Sequence, residues 1–235
     1  MNDESEKRFR SKDSNLTKIG VIESKWEKRS NASVRDLFDL VAEQNFGNRN
    51  EYHYEMAMSP AAMEEAIPRL AADNRVRWLY LATHGDKRGI QLGNNCNIKA
   101  ARLVELIEDI DATPNLKIHG IFFGACEFGG SRIAAKILEA SGGITWTAGY
   151  TTKVDWIESS VLDLLFFNLM IRKRCGEPRK QPLTNERELV REVARTLRHL
   201  APGLIDDLGF GIYVRKKGGG IENLVAPETE EEDEA

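Results

Sequence analysis

Two residues in this chain have side chains suited to nucleophilic chemistry and sit where a chain changes direction. One is Cys126, in "IFFGACEFGGSRIAAKIL" (121–138), between an apolar run and an amphipathic stretch. The other is His84, in "YLATHGDKRG", which ends an equally apolar run 42 residues earlier. A thiolate is a strong nucleophile, and an imidazole can take the thiol proton and favour the thiolate. Free cysteines are commonly buried filler, but a cysteine among small residues at the end of a strand is placed to react. Gly85 and the "GA" before Cys126 would let backbone N–H groups come close to a developing oxyanion. Glu127, beside the thiol, either helps shape a substrate site or is a solvent-facing first-turn residue.

Those positions matter only if the elements carrying them are neighbours. Apolar runs at 18–26, 51–58, 76–83, 116–125, 143–150 and 209–215 read as strands. Helical patterns fall at 33–44, 59–73, 98–110, 130–140, 155–174 and 185–201. Ser33 and Ser59 are cap candidates, Pro60 suits a first helical position, and Pro68 should kink or end its helix. The alternation predicts an α/β fold: three layers, doubly wound, with a mainly parallel six-stranded sheet. In such sheets chemistry collects at the carboxyl ends of strands, where His84 and Cys126 both lie. The chain divides into a disordered lead-in over 1–15, one domain over 16–215 and a flexible acidic tail over 216–235, whose "PETEEEDEA" holds six acidic residues.

Composition narrows the class. A net charge of −4 argues against a dedicated nucleic-acid binder. Three scattered cysteines and four histidines form neither a disulfide framework nor a metal motif, so neither a metal nor a cofactor is expected. His119 and His199 read as structural, and Cys96 and Cys175 receive no role. The most apolar window, 161–171, is too short to span a bilayer and carries Asp163 and Asn168. With no signal-peptide core in the charged N-terminus, a cytoplasmic protein with reduced thiols and no membrane partner is expected.

"LATHG" followed by "GACEFGG" resembles the His-Gly and Ala-Cys-Glu motifs of the caspase-like cysteine peptidases, most closely the CHAT and separase-like branch. The resemblance covers roughly 76–171 and includes "AGYTTKVDWIESSVLDLLFFNLM". It implies a caspase-hemoglobinase-type fold and a Cys–His dyad endopeptidase acting on a protein substrate, with room for an activating or regulatory partner protein. His84 matches the general base and acid, Cys126 the nucleophile, and Gly85 with Cys126 the backbone oxyanion donors. Asp155 falls where separase-like members place a pocket acid that accepts a basic side chain before the cut; it equally suits a helix cap. This chain has Tyr150-Thr151 where the CHAT branch usually has Leu-Trp. Two other readings stand beside this one. "CEFGGSR" is a Cys-x5-Arg run, in which Cys126 and Arg132 would grip a phosphate ester as in cysteine phosphatases. A non-catalytic interaction module on the same fold is the other.

Overall fold

A computed structural model describes residues 18–26, 32–93, 96–112, 117–176 and 181–227. The lead-in 1–15 and the last acidic residues lie outside the described residues. The chain runs β1 (Lys18–Glu23), α1 (Arg35–Phe46), β2 (His53–Met56), α2 (Pro60–Ala71), β3 (Val76–Ala82), β4 (His84–Asp86), β5 (Gly89–Leu92), β6 (Cys96–Lys99) and α3 (Ala100–Asp111). It continues through β7 (Gly120–Gly124), α4 (Ser131–Ala140), β8 (Trp146–Tyr150), α5 (Trp156–Cys175), α6 (Glu186–Leu200), α7 (Pro202–Asp207), β9 (Phe210–Arg215) and β10 (Ile221–Asn223).

The main sheet has the order β10-β9-β8-β7-β3-β1-β2, parallel from β2 to β8 and antiparallel at β9 and β10. Strand alternation builds the three layers. Trp78 and Tyr80 of β3 point with Phe122 and Trp146 to the face covered by α1, α5, α6 and α7. Leu79, Leu81, Ile121 and Phe123 point to the face covered by α2, α3 and α4. Because both faces are covered, the central strands are apolar throughout rather than alternating with polar residues. Each large side chain fully buried here, such as Phe122 or Phe166, contributes on the order of 2–3 kcal/mol.

Several expectations are corrected. Among the described residues the main sheet has seven strands, because the chain beyond 215, expected as flexible tail, turns back and pairs Ile221–Asn223 with β9 while Val225 is buried. The "GIQL" stretch is the middle of a separate three-stranded antiparallel sheet, β4-β5-β6. Helix α2 runs through Pro68 instead of ending there. Pro68 lies on the exposed side, and the buried stripe Met63, Ala66, Ile67, Leu70 and Ala71 holds both halves of the helix on the sheet. Helix α5, expected over 155–174, runs to Cys175, and its basic last turn is held by α6. Lys173 and Arg174 pair there with Glu192 and Glu186 of α6, at 3.3 and 2.8 Å. Ser33 does not cap α1; its hydroxyl donates to Glu23 at 2.6 Å.

Candidate active site

Adjacent parallel strands β3 and β7 are in register at Ala82 and Gly124. His84 and Cys126 each follow that pair by two residues, so they leave the sheet side by side at its carboxyl edge. Both line one cavity of about 230 Å³. Its walls come from the connection after β1 (Trp26, Ala32 and Val34), from Tyr80 of β3 and Tyr150 of β8, from Val154 just before α5, and from Trp156, Ser159, Ser160 and Asp163 in the first half of α5.

The His84 ring is held from two sides. Its Nε2 lies 2.6 Å from the carbonyl oxygen of Trp26. A carbonyl can only accept, so Nε2 carries the proton and Nδ1 of the neutral ring is left as acceptor. The Trp26 indole also packs edge-on to the imidazole, with centroids 5.2 Å apart, and edge-on to Trp156 at 4.9 Å.

Backbone geometry fixes the turn that carries Cys126. Glu127 has φ 56°, in the left-handed region that side chains other than glycine rarely occupy. Its N–H donates to the Thr152 carbonyl at 2.9 Å, and Gly129 N–H donates to the Tyr150 carbonyl at 2.9 Å, tying the turn to the end of β8. Gly85 backs directly on this turn: a Cβ there would sit 2.9 Å from the Cys126 carbonyl oxygen and 3.0 Å from the Ala125 Cβ. Gly124 leaves room for the Tyr80 hydroxyl, which a Cβ would approach to 2.4 Å. The glycines of "THG" and "GAC" are therefore space requirements of the site.

The cavity wall holds an acid that sequence reasoning did not place there. Asp163 is 3% exposed and receives the Tyr80 and Tyr150 hydroxyls, one on each carboxylate oxygen, both at 2.5 Å. Burial pushes its carboxyl up to about 7, against the lowering effect of the two hydroxyl donors. Burial, together with the nearby Asp163 charge, raises both tyrosines well above 10, so they stay protonated donors. The sequence carried a signal, an acidic residue inside the apolar "VLDLLFF", since a buried carboxylate needs partners.

Asp155 is elsewhere. It is exposed and caps α5, accepting from Ile157 N–H at 2.8 Å and Glu158 N–H at 3.3 Å, while the cavity is lined by its neighbours Val154 and Trp156. Of its two weighed roles, the cap is the one seen. Glu127 is half-buried and does not line the cavity. The phosphatase alternative meets an obstacle here. A phosphate cradle needs the loop amides pointing inward, whereas those of Glu127 and Gly129 are spent on β8, and Arg132 is exposed on α4. Among the described residues no His, Cys, Asp and Glu cluster is arranged to hold a metal ion, and no helix is long and apolar enough to cross a membrane.

No protein-family model and no curated protein matches the sequence. Solved structures do. One is a secreted C11 cysteine protease from Bacteroides thetaiotaomicron, "iotapain", with 11% identity, 59% of this chain and 53% of that chain covered, and a TM-score of 0.41. Another is a secreted C11 cysteine protease from the same organism in complex with an irreversible peptide inhibitor, with 11% identity, coverage of 77% and 59%, and a TM-score of 0.46. The matched region thus spans less than two thirds of either protease. The likeness is one of fold, and any chemistry must come from the residues of this chain.

Proposed function

We propose that the chain is a caspase-like cysteine endopeptidase, related to the CHAT and separase-like branch, with a peptidase domain that starts near residue 16 and extends past 215 to take in β10 and Val225. The observation that carries the reading is the joint position of His84 and Cys126 on one cavity, with the imidazole proton committed to the Trp26 carbonyl. Nδ1 of His84 accepts the Cys126 thiol proton, directly or as the substrate closes the gap. The sulfur attacks the peptide carbonyl carbon, and the carbonyl electron pair moves to oxygen, where the N–H groups of Gly85 and Cys126 are the proposed donors. Collapse breaks the C–N bond, and the departing amine takes the proton from His84. Water, deprotonated by His84, then releases the acid from the acyl-enzyme and restores the thiol.

The residue before the cut enters the aromatic-walled cavity, and we assign it as basic. Support comes from Asp163, which lines the cavity between tyrosines, while Trp26 and Trp156 give apolar walls for the methylenes of a long cationic side chain. Asp155, whose sequence position suggests the same preference, gives it no support from its capping position. Proteins with accessible Lys or Arg are the proposed substrates, and a reducing compartment such as the cytoplasm suits an accessible nucleophilic thiol. The test is turnover of fluorogenic peptides ending in Lys, Arg, Leu or Asp by wild type, Cys126→Ala and His84→Ala. Cleavage after Lys or Arg that both substitutions abolish is expected. Equal cleavage by Cys126→Ala would remove the peptidase reading, and preference for Leu or Asp would remove the specificity.

A further inference from the structure

The carboxylate of Glu23 does something the dyad does not account for. It ends β1, pairs in register with Ala82 of β3, and is 1% exposed. Four donors converge on it. The Trp26 indole N–H reaches Oε1 at 2.8 Å and the Val34 N–H reaches the same oxygen at 3.0 Å. The Ser33 and Tyr54 hydroxyls both reach Oε2 at 2.6 Å. All four of these partners donate, the pattern an ionised carboxylate satisfies. Three of the four donors come from the two ends of one connection: Trp26 leaves β1, and Ser33 and Val34 enter α1, while Tyr54 stands on β2. A single buried group therefore gathers the start and the finish of the segment that supplies Trp26, Ala32 and Val34 to the cavity.

Trp26 is also the residue whose carbonyl holds His84 Nε2. Its side chain is anchored to Glu23 while its main chain orients the imidazole, so the carboxylate reaches the histidine through one residue. We propose that Glu23 is a positioning residue for His84: by anchoring Trp26 it keeps the Trp26 carbonyl on Nε2 and reserves Nδ1 for the Cys126 side. This differs from a carboxylate bonded directly to the histidine. The charge stays on a neighbouring strand, and a backbone carbonyl makes the contact, fixing the tautomer without bringing a negative charge to the ring. The kinetic half of the inference rests on the peptidase reading; the tautomer half does not.

The experiment is ring 15N NMR of His84 in the full chain, assigned with His84→Gln, alongside peptide kinetics. Glu23→Gln turns one acceptor into an NH2 group facing a donor, and Trp26→Phe removes only the indole N–H from the anchor while keeping a ring. Each is expected to convert His84 from the Nε2–H tautomer to an exchanging mixture. Each should also lower kcat about ten- to hundredfold, the usual cost of losing a group that orients a reacting one, and for Glu23→Gln, at a position that does not line the cavity, KM should change far less. Val193→Ala, in the core of α6 away from the cavity, is a destabilised control that should leave the His84 shifts as they are. If Glu23→Gln does not fold, Trp26→Phe reads the same anchor. Wild-type His84 shifts in either folded variant would overturn the proposal. Altered His84 shifts in the variants, with a wild type that turns over no peptide, would sustain the positioning role and discard the peptidase reading.

Discussion

Replacing Asp163 with Asn should change how stability depends on pH, and the size of the change is set by the site. The buried carboxyl is raised from an ordinary 3.8 to about 7. A difference of roughly three units corresponds to about 4 kcal/mol between the protonated and ionised forms. Its sign is set by which state holds the proton longer. Between about pH 4 and 7 the unfolded chain has released the Asp163 proton while the folded protein keeps it. The stability this contributes is complete below pH 4, fades as pH rises toward 7, and is absent above. An asparagine at this position would be a neutral stand-in, its amide oxygen accepting from one tyrosine hydroxyl and its NH2 donating to the other, so both partners stay paired. The stability of D163N minus that of wild type should therefore be constant below about pH 4, climb between about pH 4 and 7 by about 4 kcal/mol, and level off near pH 8. Urea titrations tracked by tryptophan fluorescence across about pH 3.5–8.5 measure it. A difference flat to within about 0.5 kcal/mol, or one that falls as pH rises, would refute the argument that burial outweighs the two hydroxyls at this carboxylate.

Two substitutions separate site geometry from helix stability. Gly85→Ala puts a Cβ within 2.9 Å of the Cys126 carbonyl, so it should lower kcat at least about tenfold by pushing the two strand-end turns apart, while melting falls only a few degrees; unchanged kcat would show that the turns are not mutually positioned. Asp155→Ala removes two cap bonds and should cost about 1 kcal/mol in denaturation without altering the Lys-to-Leu preference, whereas Asp163→Asn should reduce that preference; a lost preference in Asp155→Ala would return the pocket role to the exposed acid.

The parts of the fold legible in the chain are those governed by short-range rules. The runs ending at His84 and Cys126 are apolar because β3 and β7 are covered on both faces, and that alone marks them as central strands. Strand adjacency, the step that brings the two residues together, is only suggested by alternation; pairing such as Ala82 with Gly124 makes it geometry. The antiparallel additions are hidden for a related reason. The strands β4 and β10 are only three residues long, and β10 comes after a "KKGGG" stretch whose composition reads as linker. Such strands are held by a neighbour already in place, not by a pattern of their own. The contact of Trp26 with His84 Nε2 is invisible in the sequence because it is made by a carbonyl, which every residue has.

Asp155 and Asp163 make the same point from the side of electrostatics. They lie on one helix, eight residues and roughly 12 Å of rise apart, and sequence position favours the first because it comes soon after a strand end. A carboxylate at a helix start meets free backbone N–H groups and water, so it can be satisfied locally and needs no substrate. Inside the helix, facing the sheet, no such relief exists, and the acid must find donors across the core. Asp163 finds them in Tyr80 and Tyr150, from strands on either side of β7, the strand that delivers Cys126. Holding that acid in place therefore also braces the flanks of the strand bearing the Cys126 thiol, so one hydrogen-bonded group ties the cavity wall to that strand.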